Sequence, residues 1–90
     1  MSIEFSPNPG RGGHLVTATA TYDGSVTDIH IFMAASGATN DSYRGIGPSL
    51  GWDIWLDRNA QGTLYLTVRY SQDGSVIFTE TGQVEILKHD

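Results

Sequence analysis

The chain reads as an all-β protein, a sandwich of about seven short antiparallel strands, on three observations. No window of helical length carries an i, i+3, i+4, i+7 apolar stripe that Gly, Pro or Asn does not interrupt. Two runs alternate strictly instead. Val16-Thr17-Ala18-Thr19-Ala20-Thr21-Tyr22 puts Val16, Ala18, Ala20 and Tyr22 on one face and threonines on the other, and Leu64-Tyr65-Leu66-Thr67-Val68-Arg69-Tyr70 turns Leu64, Leu66, Val68 and Tyr70 inward. Period two with β-branched and aromatic enrichment is the pattern of a half-buried strand. The third observation is turn chemistry at short intervals, which favours many brief strands over a few long ones.

Taken in order, the strands are expected at 2–6, 14–22, 26–34, 41–46, 51–56, 63–71 and 76–87. Pro7-Asn8-Pro9-Gly10 and Gly12-Gly13 close the first, because proline lacks the N–H that a ladder needs. Asp23-Gly24-Ser25 and Asp73-Gly74-Ser75 are Asp-Gly hairpin signals, and Asn59-Ala60-Gln61-Gly62 separates the fifth strand from the sixth. Gly82 is expected to break the last strand. Tyr22-Asp23-Gly24-Ser25-Val26 is echoed by Tyr70-Ser71-Gln72-Asp73-Gly74-Ser75-Val76, two similar turns expected at one end of the sandwich.

Ninety residues allow a single domain, 1–90, and 39% hydrophobic residues suffice for a core while exceeding what disordered chains carry. With no cysteine, a disulfide scaffold, a zinc ribbon and a thiol nucleophile are excluded. Ten acidic residues against five basic ones give a net charge of −5, the wrong balance for displacing counterions from nucleic acid. No apolar run is long enough to insert in a membrane as a helix, and the N-terminus has no signal-peptide pattern.

Ser6-Pro7-Asn8-Pro9-Gly10, His14-Leu15-Val16-Thr17-Ala18-Thr19-Ala20-Thr21 and Asp23-Gly24-Ser25-Val26 together resemble the first half of bacterial immunoglobulin-like domains. Trp52-Asp53-Ile54-Trp55-Leu56-Asp57 and Gly62-Thr63-Leu64-Tyr65-Leu66-Thr67-Val68 resemble their fifth and sixth strands, so the likeness runs from about Ser6 to Ile86. It implies an immunoglobulin-like antiparallel β-sandwich serving as an accessory module of a secreted or surface bacterial protein, such as a chitinase or cellulase. An extracellular or cell-surface location rests on this resemblance alone. Two departures stand out. Leu64 occupies a position where the family often has a tyrosine that pins the neighbouring turn, and the polar segment 36–49 is longer than usual.

Catalytic signatures are missing. His14, His30 and His89 have no metal-ligand spacing, and no Gly-x-Ser-x-Gly elbow or phosphate loop occurs. Asp53 and Asp57 are spaced as carboxylates are in any sandwich. No enzyme, cofactor or metal is therefore expected, even though Asp23, Asp28, Asp41 and Asp73 fall in or beside loops that suit calcium.

Outward-facing aromatics are more informative. On the fifth strand Trp52, Ile54 and Leu56 fit the core, which turns Trp55 outward beside Asp53 unless segment 36–49 covers it. The expected ligand-binding set is Trp55 and Tyr43 as stacking platforms for a glycan, with Asp53 and Arg44 as polar contacts. On the third and sixth strands Phe32, Tyr65, His30 and Arg69 are expected to share one open face. That face supports the alternative, a structural or protein-interaction module such as a phage virion decoration domain or a self-associating unit. A fragment of a larger secreted enzyme favours the first function; a chain complete in itself favours the second, or a small oligomeric lectin.

Overall fold

The computed structural model describes residues 2–24 and 28–90. Among them there are eight strands and no helix: β1 (Ser2–Ser6), β2 (Gly10–Arg11), β3 (Leu15–Thr21), β4 (His30–Gly37), β5 (Asp41–Ile46), β6 (Ser49–Trp55), β7 (Gly62–Gln72) and β8 (Ser75–Leu87). They form two sheets, β1-β3-β6 and β2-β8-β7-β4-β5, stacked as a β-sandwich. All neighbours are antiparallel except β2 and β8.

Inward positions of both sheets supply the core. Val16, Ala18 and Ala20 from β3 and Trp52 and Ile54 from β6 meet Ile31 and Met33 from β4 and Leu64, Leu66, Val68 and Tyr70 from β7, all buried. The small alanines of β3 leave room for the larger side chains opposite, so the two faces interdigitate.

The count of about seven strands is exceeded because the opening strand is divided between the sheets. β1 pairs with β3, whereas β2 pairs with β8 in the other sheet. Pro7 and Pro9 lie in the gap, where neither can donate to a ladder, and the chain crosses there. Gly10 then fits where a Cβ would lie 2.5 Å from Val16 Cγ2.

The expected break at Gly82 does not occur. β8 is continuous, and Gly82 pairs with Leu66 while facing inward under β1, where a Cβ would sit 3.3 Å from Ile3 and 3.4 Å from Phe5. Glycine here admits a close side-chain approach rather than ending the strand.

The two Asp-Gly turns have different roles. Asp73 and Gly74 both take positive φ (52° and 80°) between the paired residues Gln72 and Ser75, the two-residue hairpin that Asp-Gly favours. Asp23-Gly24, by contrast, leads from β3 in one sheet towards β4 in the other, so it is no hairpin. Ser25, Val26 and Thr27, including the expected start of the third strand, lie outside the described residues.

Both turns do lie at one end, where Tyr22, Tyr70 and Phe78 pack with ring centroids 5.3 Å and 6.1 Å apart. The Tyr70 hydroxyl donates to the Glu80 carboxylate and lies 3.4 Å from the Thr21 carbonyl. Burial, followed by this hydrogen bond and the charges of Glu80 and Asp23, pushes its pKa well above the ordinary 10.0. The folded state thus holds the proton more tightly than the unfolded chain. Its stabilising effect is complete below pH 10.0 and is lost as pH rises towards the folded value. Urea denaturation should show stability falling above that point by up to about 1.4 kcal/mol per pH unit. Tyr70→Phe, less stable by about 1–3 kcal/mol at neutral pH, should show a shallower decline; an unchanged alkaline slope would contradict this assignment.

At the opposite end Leu64 is fully buried and only packs. Backbone holds this corner instead, through the Ala38 N–H donating to the Thr63 carbonyl at 3.2 Å. The C-terminal residues are tied to β2, with Arg11 Nη1 donating to the Lys88 carbonyl at 2.7 Å and to Asp90 at 2.9 Å.

Candidate functional site

The outer face of the three-stranded sheet is built from the residues that alternate with its core positions. Register aligns Leu15 with Trp55, Thr17 with Asp53, Thr19 with Gly51 and Thr21 with Ser49, while Ser6, Glu4 and Ser2 of β1 continue the last three rows. This surface is rich in hydroxyls, with a single large aromatic at one end. Trp55 closes β6 and is 73% exposed. Two residues back, Asp53 accepts a hydrogen bond from Thr17 Oγ1 at 2.8 Å, which orients the carboxylate.

Thr17 was not among the sequence candidates. Alternation put it on the polar face, but only the β3–β6 register brings it to Asp53.

Segment 36–49 covers Trp52, not Trp55. Its centre is β5, an edge strand paired with β4 and not a loop. Tyr43 lies opposite the inward Met33, and its ring stacks on Trp52 with centroids 6.0 Å apart and planes 10° from parallel. Gly45 approaches Leu50 so closely that a Cβ would lie 2.5 Å from it. Tyr43 therefore closes the sandwich edge, and Arg44, one residue on, points to the outer face of the five-stranded sheet.

The four ligand-binding candidates consequently divide. Trp55 and Asp53 share a surface, whereas Tyr43 and Arg44 each occupy another.

On the five-stranded sheet Phe32 is flanked by Arg44 and Arg69, opposite it on β5 and β7. Their guanidinium carbons lie 5.4 Å and 5.9 Å from the ring centroid, within cation–π range. His30 occupies the next row between Ile46 and Ser71, and a depression of about 430 Å³ runs along these side chains. Neither arginine forms an ion pair among the described residues. No carboxylate occupies the rows through His30, Phe32 or Ala34. Tyr65 is on the same face but opposite Ser36 and Gln83, roughly 13 Å along β7 from Arg69. Phe32, His30 and Arg69 thus come together with Arg44, and Tyr65 stands apart.

Among the described residues no three His, Cys, Asp or Glu side chains are grouped to hold a metal ion. Asp41 Oδ1 accepts from the Ser42 backbone N–H at 2.8 Å, a local contact at the start of β5.

Comparison with known proteins finds no matching family model, no similar curated protein and no similar solved structure.

Proposed function

We propose that this chain is a non-catalytic binding module of immunoglobulin-like fold that recognises a saccharide on the outer face of its three-stranded sheet. The observation that carries the proposal is the Trp55 ring, 73% exposed, beside an Asp53 carboxylate held by Thr17. An exposed indole stacks on the apolar face of a sugar ring, while an anchored carboxylate and nearby threonines bond its hydroxyls.

The strand order supports the fold reading. With β1 and β2 counted as one strand divided between sheets, the frame has seven strands, three facing four, with an extra pairing of β2 alongside β8. Resemblance to bacterial immunoglobulin-like domains is the basis for extending the proposal to an extracellular or cell-surface protein that acts near polysaccharide.

A second reading, a protein-interaction module, is favoured by Phe32 between Arg44 and Arg69, neither of which has an ion-pair partner among the described residues. In a chain of net charge −5, that face suits an acidic partner surface.

The first reading is tested by fluorescence titration of Trp52→Phe, in which Trp55 is the remaining tryptophan. A bound oligosaccharide should shift its emission to the blue, and Asp53→Ala should weaken binding by about tenfold or more. A folded protein whose emission ignores a broad oligosaccharide panel would contradict it.

A further inference from the structure

We infer that the free edge of β8 is a self-association surface, on which a second copy of this chain adds its own β8 antiparallel across a two-fold axis. This rests on neither reading of ligand binding. β8 is an edge strand for most of its length, because β2 pairs with it only at Ile86 and Leu87. Among the described residues, 75–85 have a strand neighbour on the β7 side alone. Their outward backbone N–H and C=O groups form a template for another strand.

Edges are ordinarily blunted by proline, lysine, bulges or shortness. The other edges here have such protection. β1 spans five residues, carries Glu4 and is followed by Pro7, while the edge strands β5 and β6 are folded against each other through Tyr43 on Trp52 and Gly45 on Leu50. Residues 75–85 contain neither proline nor lysine, and their register shift, which leaves Ile77 without a partner on β7, lies outside residues 78–84. They include Val76, Ile77 and Phe78, exposed by 56%, 43% and 41%. Glu80, the inward carboxylate on this stretch, is bonded to Tyr70.

The same sequence specifies a second copy as the occupant. Residues facing each other across an antiparallel ladder share a sheet face, so the two-fold axis passes through a residue. An axis at Glu80 would oppose two carboxylates. An axis at Thr81 instead pairs threonine with threonine, Glu80 of one copy with Gly82 of the other, Thr79 with Gln83 and inward Phe78 with inward Val84. In these directly facing pairs apolar meets apolar, and no charge faces its like.

Beneath such an added strand lies a groove of about 580 Å³ between β8 and β1, walled by Ile3, Phe5, Glu80 and Gly82. The second copy's inward side chains enter it and cover Ile3 and Phe5. Pairing over residues 78–84 gives a contact about 23 Å long, at the small end of stable interfaces. The dimer is therefore concentration-dependent.

Sedimentation equilibrium from micromolar to millimolar concentration should show a reversible monomer–dimer transition. Thr81 is exposed and faces outward, so its variants should keep the wild-type circular dichroism spectrum. Thr81→Lys, which sets two ammonium groups opposite each other, should raise the dissociation constant about tenfold or more. The chain contains no cysteine, so Thr81→Cys under mild oxidation should cross-link to a dimer much faster than Ser36→Cys. Cα atoms facing across such a ladder are about 4.5–5.5 Å apart, within disulfide reach. A wild type monomeric at millimolar concentration, a dimer indifferent to Thr81→Lys, or Thr81→Cys cross-linking no faster than Ser36→Cys would each overturn the inference.

Discussion

Gly37→Ala is expected to lower the melting temperature by about 10–20 °C. Gly37 ends β4 with φ of 98°, and an added Cβ would lie 2.2 Å from the Thr63 carbonyl oxygen. Two penalties coincide. A side chain at that φ is strained by about 1–3 kcal/mol, and the clash is with backbone, which no rotamer change relieves. The same carbonyl accepts from Ala38, so moving it aside also disturbs the bond holding the corner before β7. Together these remove about 3 kcal/mol or more from a domain whose total stability is of order 5–10 kcal/mol. A thermal unfolding curve within a few degrees of wild type would show that the corner yields freely.

The two tryptophans should respond oppositely to truncation. Trp52→Ala is expected to cost about 3–5 kcal/mol. Its indole is buried between the sheets and carries the Tyr43 ring, so its loss leaves a cavity and releases β5 from the edge it closes. Trp55→Ala, three residues along the same strand, should stay within about 0.5 kcal/mol of wild type because its ring contacts mainly solvent. Urea midpoints of the two variants check this directly. Equal destabilisation would mean that Trp55 is a packing residue, and the proposed platform would lose its basis.

Much of this division was already legible in the sequence. Alternation alone assigned Trp52, Ile54 and Leu56 inward and Trp55 and Asp53 outward, because strand periodicity is local chemistry. The inward faces of β3 and β7 were legible for the same reason. Register between distant strands was not. The expected strand at 41–46 already sends Tyr43 and Arg44 to opposite faces, so grouping them overlooked alternation; what their neighbours do not show is that β5 closes the sandwich edge over Trp52. The pairing of Thr17 with Asp53 joins positions 36 residues apart and depends on the whole three-stranded sheet. Gly82 misled for a related reason. A glycine that breaks a strand and one that admits a crossing side chain look alike until Ile3 and Phe5 are placed above it. The prolines marked where the first strand stops, but the passage from one sheet to the other follows from the packing of Gly10 against Val16 and Ile86.

The most direct test of the proposed function is a glycan-array screen of the folded wild type beside Trp55→Ala and Arg44→Ala. Binding from the three-stranded face predicts a saccharide signal that Trp55→Ala abolishes and Arg44→Ala leaves intact, since Arg44 lies on the other sheet. A signal that survives Trp55→Ala, or a folded wild type that binds no glycan on the array, would contradict it.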